Sequence, residues 1–195
     1  MRMLTACAVL LLATPALADD RVVEAALARL EASVRYDPAY VRLDYPGGDV
    51  PSDTGVCTDV VIRAYREALD FDFQRAVHED MRADFAAYPA NWGLTRPDRN
   101  IDHRRVPNLE TYLERRGAAL PVTDDPDDYR PGDIVTWRLD GRLPHIGIVT
   151  HARSPAGVPL IVHNIGAGPV HDDILFRAPI TAHFRFVPDP TPSPD

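Results

Sequence analysis

Three side chains in this sequence could carry covalent chemistry together: Cys57, His145 and His163. Cys57 stands where a loop rich in Pro, Gly and Asp gives way to Val60, Val61, Ala64 and Ala68 at helical spacing. Amide groups at a helix N-terminus favour negative charge, so a thiolate there is expected to have a lowered pKa. The same position also suits a small core residue, because Cys57 shares its helical side with Val60, Val61 and Ala64. A thiolate nucleophile needs a base within hydrogen-bond reach and a third group that orients the base. His145 opens the run Pro144-His145-Ile146-Gly147-Ile148-Val149, which sets an imidazole at the start of a strand close to a glycine. His163 closes Leu160-Ile161-Val162-His163 and is followed by Asn164. The turn Ser154-Pro155-Ala156-Gly157 folds the later run back on the earlier one. If cross-strand pairs sum to 308, His145 faces His163; if they sum to 309, it faces Asn164, so both stay open as the orienting residue.

The elements that must position these groups follow a change of period along the chain. Asp19-Asp20 caps a first helix carrying Val23, Ala26, Leu27, Leu30 and Val34. A second runs from about Cys57 to Leu69, a third from Gln74 to Ala87, and a short fourth from Asn108 to Arg116, ended by Gly117. Beyond the acidic turn 124–128 the pattern changes to strands near 133–137, 146–150, 160–163 and 183–187. Helices first and a small antiparallel sheet later is an α+β order.

The chain has 195 residues, enough for one domain of ordinary size. Its formal charge of −8, from 21 basic side chains that are all Arg against 29 acidic ones, disfavours a nucleic-acid partner. Met1-Arg2-Met3, the apolar run from Leu4 to Leu12 and Ala16-Leu17-Ala18 form a signal peptide over residues 1–18, with cleavage after Ala18. The mature protein is then exported, periplasmic or secreted, with no membrane span. Cys7 leaves with the leader, so Cys57 has no partner for an intrachain disulfide. Residues 188–195 read as a Pro-rich flexible tail.

Gly55-Val56-Cys57-Thr58-Asp59-Val60-Val61, Arg130-Pro131-Gly132-Asp133-Ile134-Val135, His145-Ile146-Gly147-Ile148-Val149 and Ile161-Val162-His163 resemble, in that order, blocks of the NlpC-type cell-wall cysteine peptidases. A wider resemblance, over nearly the whole mature chain, is to a YijF-like family of exported bacterial proteins of undefined function. It is carried by Tyr45-Pro46-Gly47-Gly48-Asp49, Val77-His78-Glu79-Asp80-Met81, Asn100-Ile101-Asp102-His103-Arg104-Arg105 and Val162-His163-Asn164-Ile165-Gly166. The NlpC resemblance implies a papain-like core over residues 19–187, with a helical insertion around 71–120. It also implies Cys57 as nucleophile, His145 as general base and His163 as orienter in a hydrolase that opens peptidoglycan amide bonds through a thioester.

Around that site, Tyr45, His103, Arg104 and Arg105 are candidate substrate-binding residues, because Arg presents a planar fork to the free carboxylates of peptidoglycan stems. His151, His171 and His183 are expected to be exposed near strand ends. The sequence asks for no cofactor and no metal. A rival class is a noncatalytic periplasmic module on the same fold, and a zinc hydrolase built on His145, His163 and His103 or Cys57 lacks the usual ligand spacing.

Overall fold

Helix α1, Asp20–Ala28, buries Val22, Val23, Ala25 and Ala26 along one side, as its apolar spacing dictates, in a computed structural model that describes residues 20–189. The expected leader, residues 1–18, and the tail beyond residue 189 lie outside the described residues. After α1 the chain forms a two-stranded parallel ladder from β1, Arg35–Tyr36, and β2, Thr54–Gly55. Helix α2, Cys57–Leu69, follows at once. Val56 is extended, and the Asp59 carboxylate reaches back 2.7 Å to accept its N–H, satisfying one of the amides that a helix start leaves free. At the other end Asp70 takes a left-handed conformation and its N–H bonds to Arg66 O.

Helix α3, Phe73–Ala83, is capped by Asp72, which accepts from Arg75 N, and α4, Val106–Arg115, has Pro107 in its first turn. A single helical turn, Asp102–Arg104, leads into α4 and packs against both α3 and α4. These pieces make up the stretch expected as an insertion.

The rest is a six-stranded antiparallel sheet in the order β3-β8-β4-β5-β6-β7. Its strands are β3 (Ala119–Leu120), β4 (Ile134–Leu139), β5 (Leu143–Arg153), β6 (Pro159–Asn164), β7 (Pro169–Asp172) and β8 (Ile180–Phe184). Four helices followed by such a sheet agree with the α+β order of the sequence. β5 is longer than its apolar run and β7 is additional, since its residues carry no strong strand pattern.

Alternation sorts the sheet's two faces. Ile134, Ile146, Ile148, Val162 and Phe184 pack under α1, α2 and α4 with Cys57, Val61, Tyr65 and Leu109. Val135, Trp137, Val149 and Ile161 face the other way, under Tyr129, Ile174 and Leu175. His183 is buried rather than exposed. Its Nε2 lies 2.7 Å from Asp133 Oδ2, Arg185 holds the same carboxylate, and Tyr129 stacks on its ring. His171 is half-buried with Nε2 2.8 Å from Thr150 Oγ1, whereas His151 lies exposed beside Asp20. No helix among the described residues is long and apolar enough to cross a membrane.

Candidate active site

Cys57 is the first residue of α2 and lies at the foot of a cleft of about 330 Å³. The cleft's walls come from distant parts of the chain: Tyr36 and Pro38, Trp92, Ile101 with residues 104–107, and Leu143 with Pro144. The backbone N–H groups of Thr58, Ile146 and Cys57 itself point at the sulfur and favour its ionised form. Burial outweighs them. With Cys57 only 6% exposed and the Asp59 carboxylate nearby, the thiol is pushed up to about 12, desolvation being the larger cause and Asp59 the second. The expectation of a lowered pKa at this helix start is thus reversed.

The imidazoles form a pair. His145 Nε2 lies 3.0 Å from His163 Nδ1, and the rings meet edge to face with centroids 5.0 Å apart. Their register differs from both alternatives that the sequence left open. Gly147 pairs with His163, Ile148 with Val162 and Val149 with Ile161, so His163 is the diagonal neighbour of His145 on the same face. Asn164 falls on the opposite face, beside Val56, Asp59 and Val60 of the α2 start, and its Oδ1 accepts from Gly166 N. The structure therefore brings His163, and not Asn164, to His145.

Gly147 makes the pairing possible. A Cβ at that position would come within 2.5 Å of Ile161 Cγ2 and 3.1 Å of His163 Cβ. Without one, β6 lies close enough for the rings to meet. Burial depresses both imidazoles, His145 to about 3 with His163 as a second cause. His163 Nε2 is sealed with no partner, while His145 Nδ1 is bonded to nothing among the described residues and is not sealed.

Cys57 and the imidazoles approach β5 from different sides. His145 lies beside Trp137, ring centroids 5.8 Å apart, whereas the next residue, Ile146, packs with Cys57 and turns its N–H toward the sulfur. Residues Leu143 to Ile146 pair with β4 alone, which leaves their other edge open at the start of α2. No hydrogen bond joins the sulfur to either ring among the described residues.

The arginine loop borders this cleft, and its two cations are engaged to different degrees. Arg104 is buried and grips Asp59 with two bonds, Nε to Oδ1 at 3.0 Å and Nη2 to Oδ2 at 2.9 Å. It also reaches the carbonyls of Asp37 and Ala39, and its own carbonyl accepts from Thr58 Oγ1. Arg105 pairs with Asp102 at 3.0 Å and lies over the Trp92 ring, 4.0 Å from its centroid. Arg104 therefore has no donor nitrogen left for a substrate carboxylate, against the role expected for it, whereas Arg105 spends only Nη1 on Asp102 and stays in the cleft lining.

His103 is buried away from the cleft lining, its pKa lowered to about 4, first by burial and then by Arg104. Tyr45 packs on the edge of His78 beneath Arg99 and does not line the cleft either. The sequence reading missed Asp59, Trp92, Tyr36 and Leu143. Only Asp59 had a signal, its place three residues after Val56, which is capping-box spacing.

Comparison with known proteins adds kinship without chemistry. The family described as a domain of unknown function, DUF1287, matches residues 23–186. The chain is 52% identical over 165 residues to the uncharacterized protein YijF of Escherichia coli strain K12, covering 85% of this chain and 80% of that protein. No solved structure matches. A match over nearly all of the described fold, together with a relative this similar, means that the chain belongs to the DUF1287 family.

Proposed function

We propose that this protein is an exported cysteine hydrolase, related to the NlpC type, that cleaves amide bonds in cell-wall peptides as an amidase or endopeptidase. One observation carries the reading: the 3.0 Å pairing of His145 with His163 stands one residue from the amide that faces the Cys57 sulfur. In this reading His145 Nδ1 takes the thiol proton as the sulfur attacks the amide carbonyl carbon. The resulting imidazolium gives that proton to the leaving amine, which departs and leaves a thioester. Water attacks the thioester, with His145 again accepting a proton, and the thiol is restored.

His163 is the orienter. By accepting a proton shared from His145 Nε2 it frees the His145 Nδ1 lone pair. That tautomer puts the other proton on His163 Nε2, whose burial without a partner costs about 1–3 kcal/mol. With the thiol pushed up and the imidazole pushed down, the resting pair is neutral, and His145 acts on a thiol rather than beside a preformed thiolate. The raised thiol favours a second reading, a noncatalytic module that has kept the cleft.

Purified muropeptides incubated with the wild type and with Cys57→Ala separate the two. The hydrolase reading expects products that together gain one water, with the wild type only, while the variant keeps the wild-type melting temperature. Intact muropeptides after incubation with wild-type protein favour the module.

A further inference from the structure

Arg105 keeps one edge of its guanidinium free in the cleft. Nη1 donates to Asp102 Oδ1 at 3.0 Å, while Nε and Nη2 have no partner among the described residues, and neither nitrogen is sealed from solvent. The neighbouring Arg104 grips Asp59 by that same edge, Nε and Nη2 side by side on the two oxygens of one carboxylate. The free edge of Arg105 is also held in place. Asp102, only 1% exposed, fixes its other side, and the centre of the Trp92 ring lies 4.0 Å from its Cζ. A planar fork immobilised before its ligand arrives loses little freedom on binding. The lining agrees: Arg104 and Arg105 are the charged residues there among those described, and no carboxylate lines the cleft, although the chain carries a formal charge of −8.

We infer that Arg105 is the specificity-determining residue of the cleft and receives a free carboxylate of a peptide on Nε and Nη2 together. The place of that carboxylate relative to a scissile amide rests on the hydrolase reading, whereas its capture by Arg105 does not. A cleft of about 330 Å³, taken as a cube, is roughly 7 Å across, and an extended residue spans about 3.5 Å. Arg105 and Cys57 line the same cleft, so the carboxylate belongs to one of the two residues that flank the amide presented to the sulfur. A peptide whose carboxylate there is amidated is then a poor ligand.

NMR titration tests the capture without any turnover. The chain has two tryptophans and hence two indole N–H signals: that of Trp137 is tied to Leu175 O in the core, and that of Trp92 lies against Arg105. N-acetylglycylglycine, with a terminal carboxylate, is compared with its amide, and N-acetylglutamylglycinamide, with a side-chain carboxylate, with N-acetylglutaminylglycinamide. In at least one pair the acid should move the Trp92 signal saturably at a concentration about tenfold below that of its uncharged counterpart, because charge-assisted hydrogen bonds are the stronger ones. The pair that responds tells which kind of carboxylate is read. Arg105→Gln should remove the preference. Arg105→Lys keeps a cation for the buried Asp102, and so guards against unfolding, but lacks the fork and should cut the preference to about threefold or less. Arg82→Gln, which removes an exposed charge outside the cleft lining, should leave it unchanged. Each variant is compared once it is shown to melt like the wild type. No preference in either pair, a tenfold preference that survives in Arg105→Lys, or its loss in Arg82→Gln would overturn the assignment. A preference without any hydrolysis of muropeptides sinks the hydrolase reading and leaves the carboxylate site standing, and hydrolysis without a preference does the reverse.

Discussion

Ionisation of Cys57 decides how the cleft can react, and it can be measured directly. Its thiol is displaced from an ordinary 9.0 to about 12, which reduces the thiolate fraction near neutral pH about a thousandfold. Native Cys57 should therefore react with iodoacetamide about a thousandfold more slowly than N-acetylcysteine amide at pH 8. Its rate should rise about tenfold for each pH unit and show no plateau up to pH 10.5. Mass spectrometry of the Cys57 peptide reads the rate at that one site. Hindered access would slow alkylation equally at every pH, so the absence of a plateau is what reports the thiol's pKa.

Asp59→Asn should bring the midpoint down, because the carboxylate is the second cause of the displacement. A plateau at or below pH 9 would refute the argument, since the three amides around the sulfur would then outweigh its burial. The same values bear on catalysis. Moving a proton from a thiol near 12 to an imidazole near 3 spans about nine pH units, roughly 12 kcal/mol before the attraction between the charges formed is counted. A working hydrolase has to recover most of that by drawing ring and sulfur together on the substrate.

Other outcomes follow from the same geometry. Arg104→Gln strands the buried Asp59 carboxylate and should cost about 3–5 kcal/mol in denaturant unfolding, whereas the double change Asp59→Leu with Arg104→Met should recover most of it; equal losses in both would contradict the buried-pair account. Gly147→Ala drives a methyl into Ile161 and should destabilise by about 1–3 kcal/mol while altering the imidazole NMR signals of His145 and His163; unaltered signals would mean that the close strand approach does not govern the pair. His145 and His103 titrate near 3 and near 4 when folded but near 6.5 when unfolded, so the unfolded chain binds more protons in between and stability falls as pH drops below about 6.5. By pH 4.5 the two together should remove about 5 kcal/mol, and His103→Gln should remove about half of the slope; a melting temperature flat from pH 6.5 to 4.5 would sink this.

How far the sequence could see depended on the range of the interaction. The start of α2 was legible because a Gly- and Pro-rich loop gives way to apolar residues at helical spacing within a few positions. Three of the principal strands were legible from their own Val and Ile content, whereas β8 lies at Ile180–Phe184, three residues before the 183–187 that the Phe and Val residues there suggested. The pairing of His145 with His163 was only half legible. A bulge between Val149 and Arg153 changes the pair sum from 312 near the turn to 310 at the histidines, and nothing in Ser154-Pro155-Ala156-Gly157 announces it.

Arg104 and Arg105 look equivalent as letters, yet one turns inward to a carboxylate 45 positions away and the other lies on an indole. The thiol's ionisation was misjudged for a related reason. Helix position can be read locally, whereas desolvation depends on which distant strand closes over the sulfur.

Arg104 gives the cleft one last property. A single side chain ties the loop at Asp37 and Ala39 to the first turn of α2, while its backbone oxygen anchors Thr58 beside the cysteine. The walls are thus assembled from segments that meet only when the whole domain has closed. A nascent or partly opened chain carries the thiol but no groove around it, so whatever this groove does is silent until folding is complete, and the guanidinium acts as the interlock.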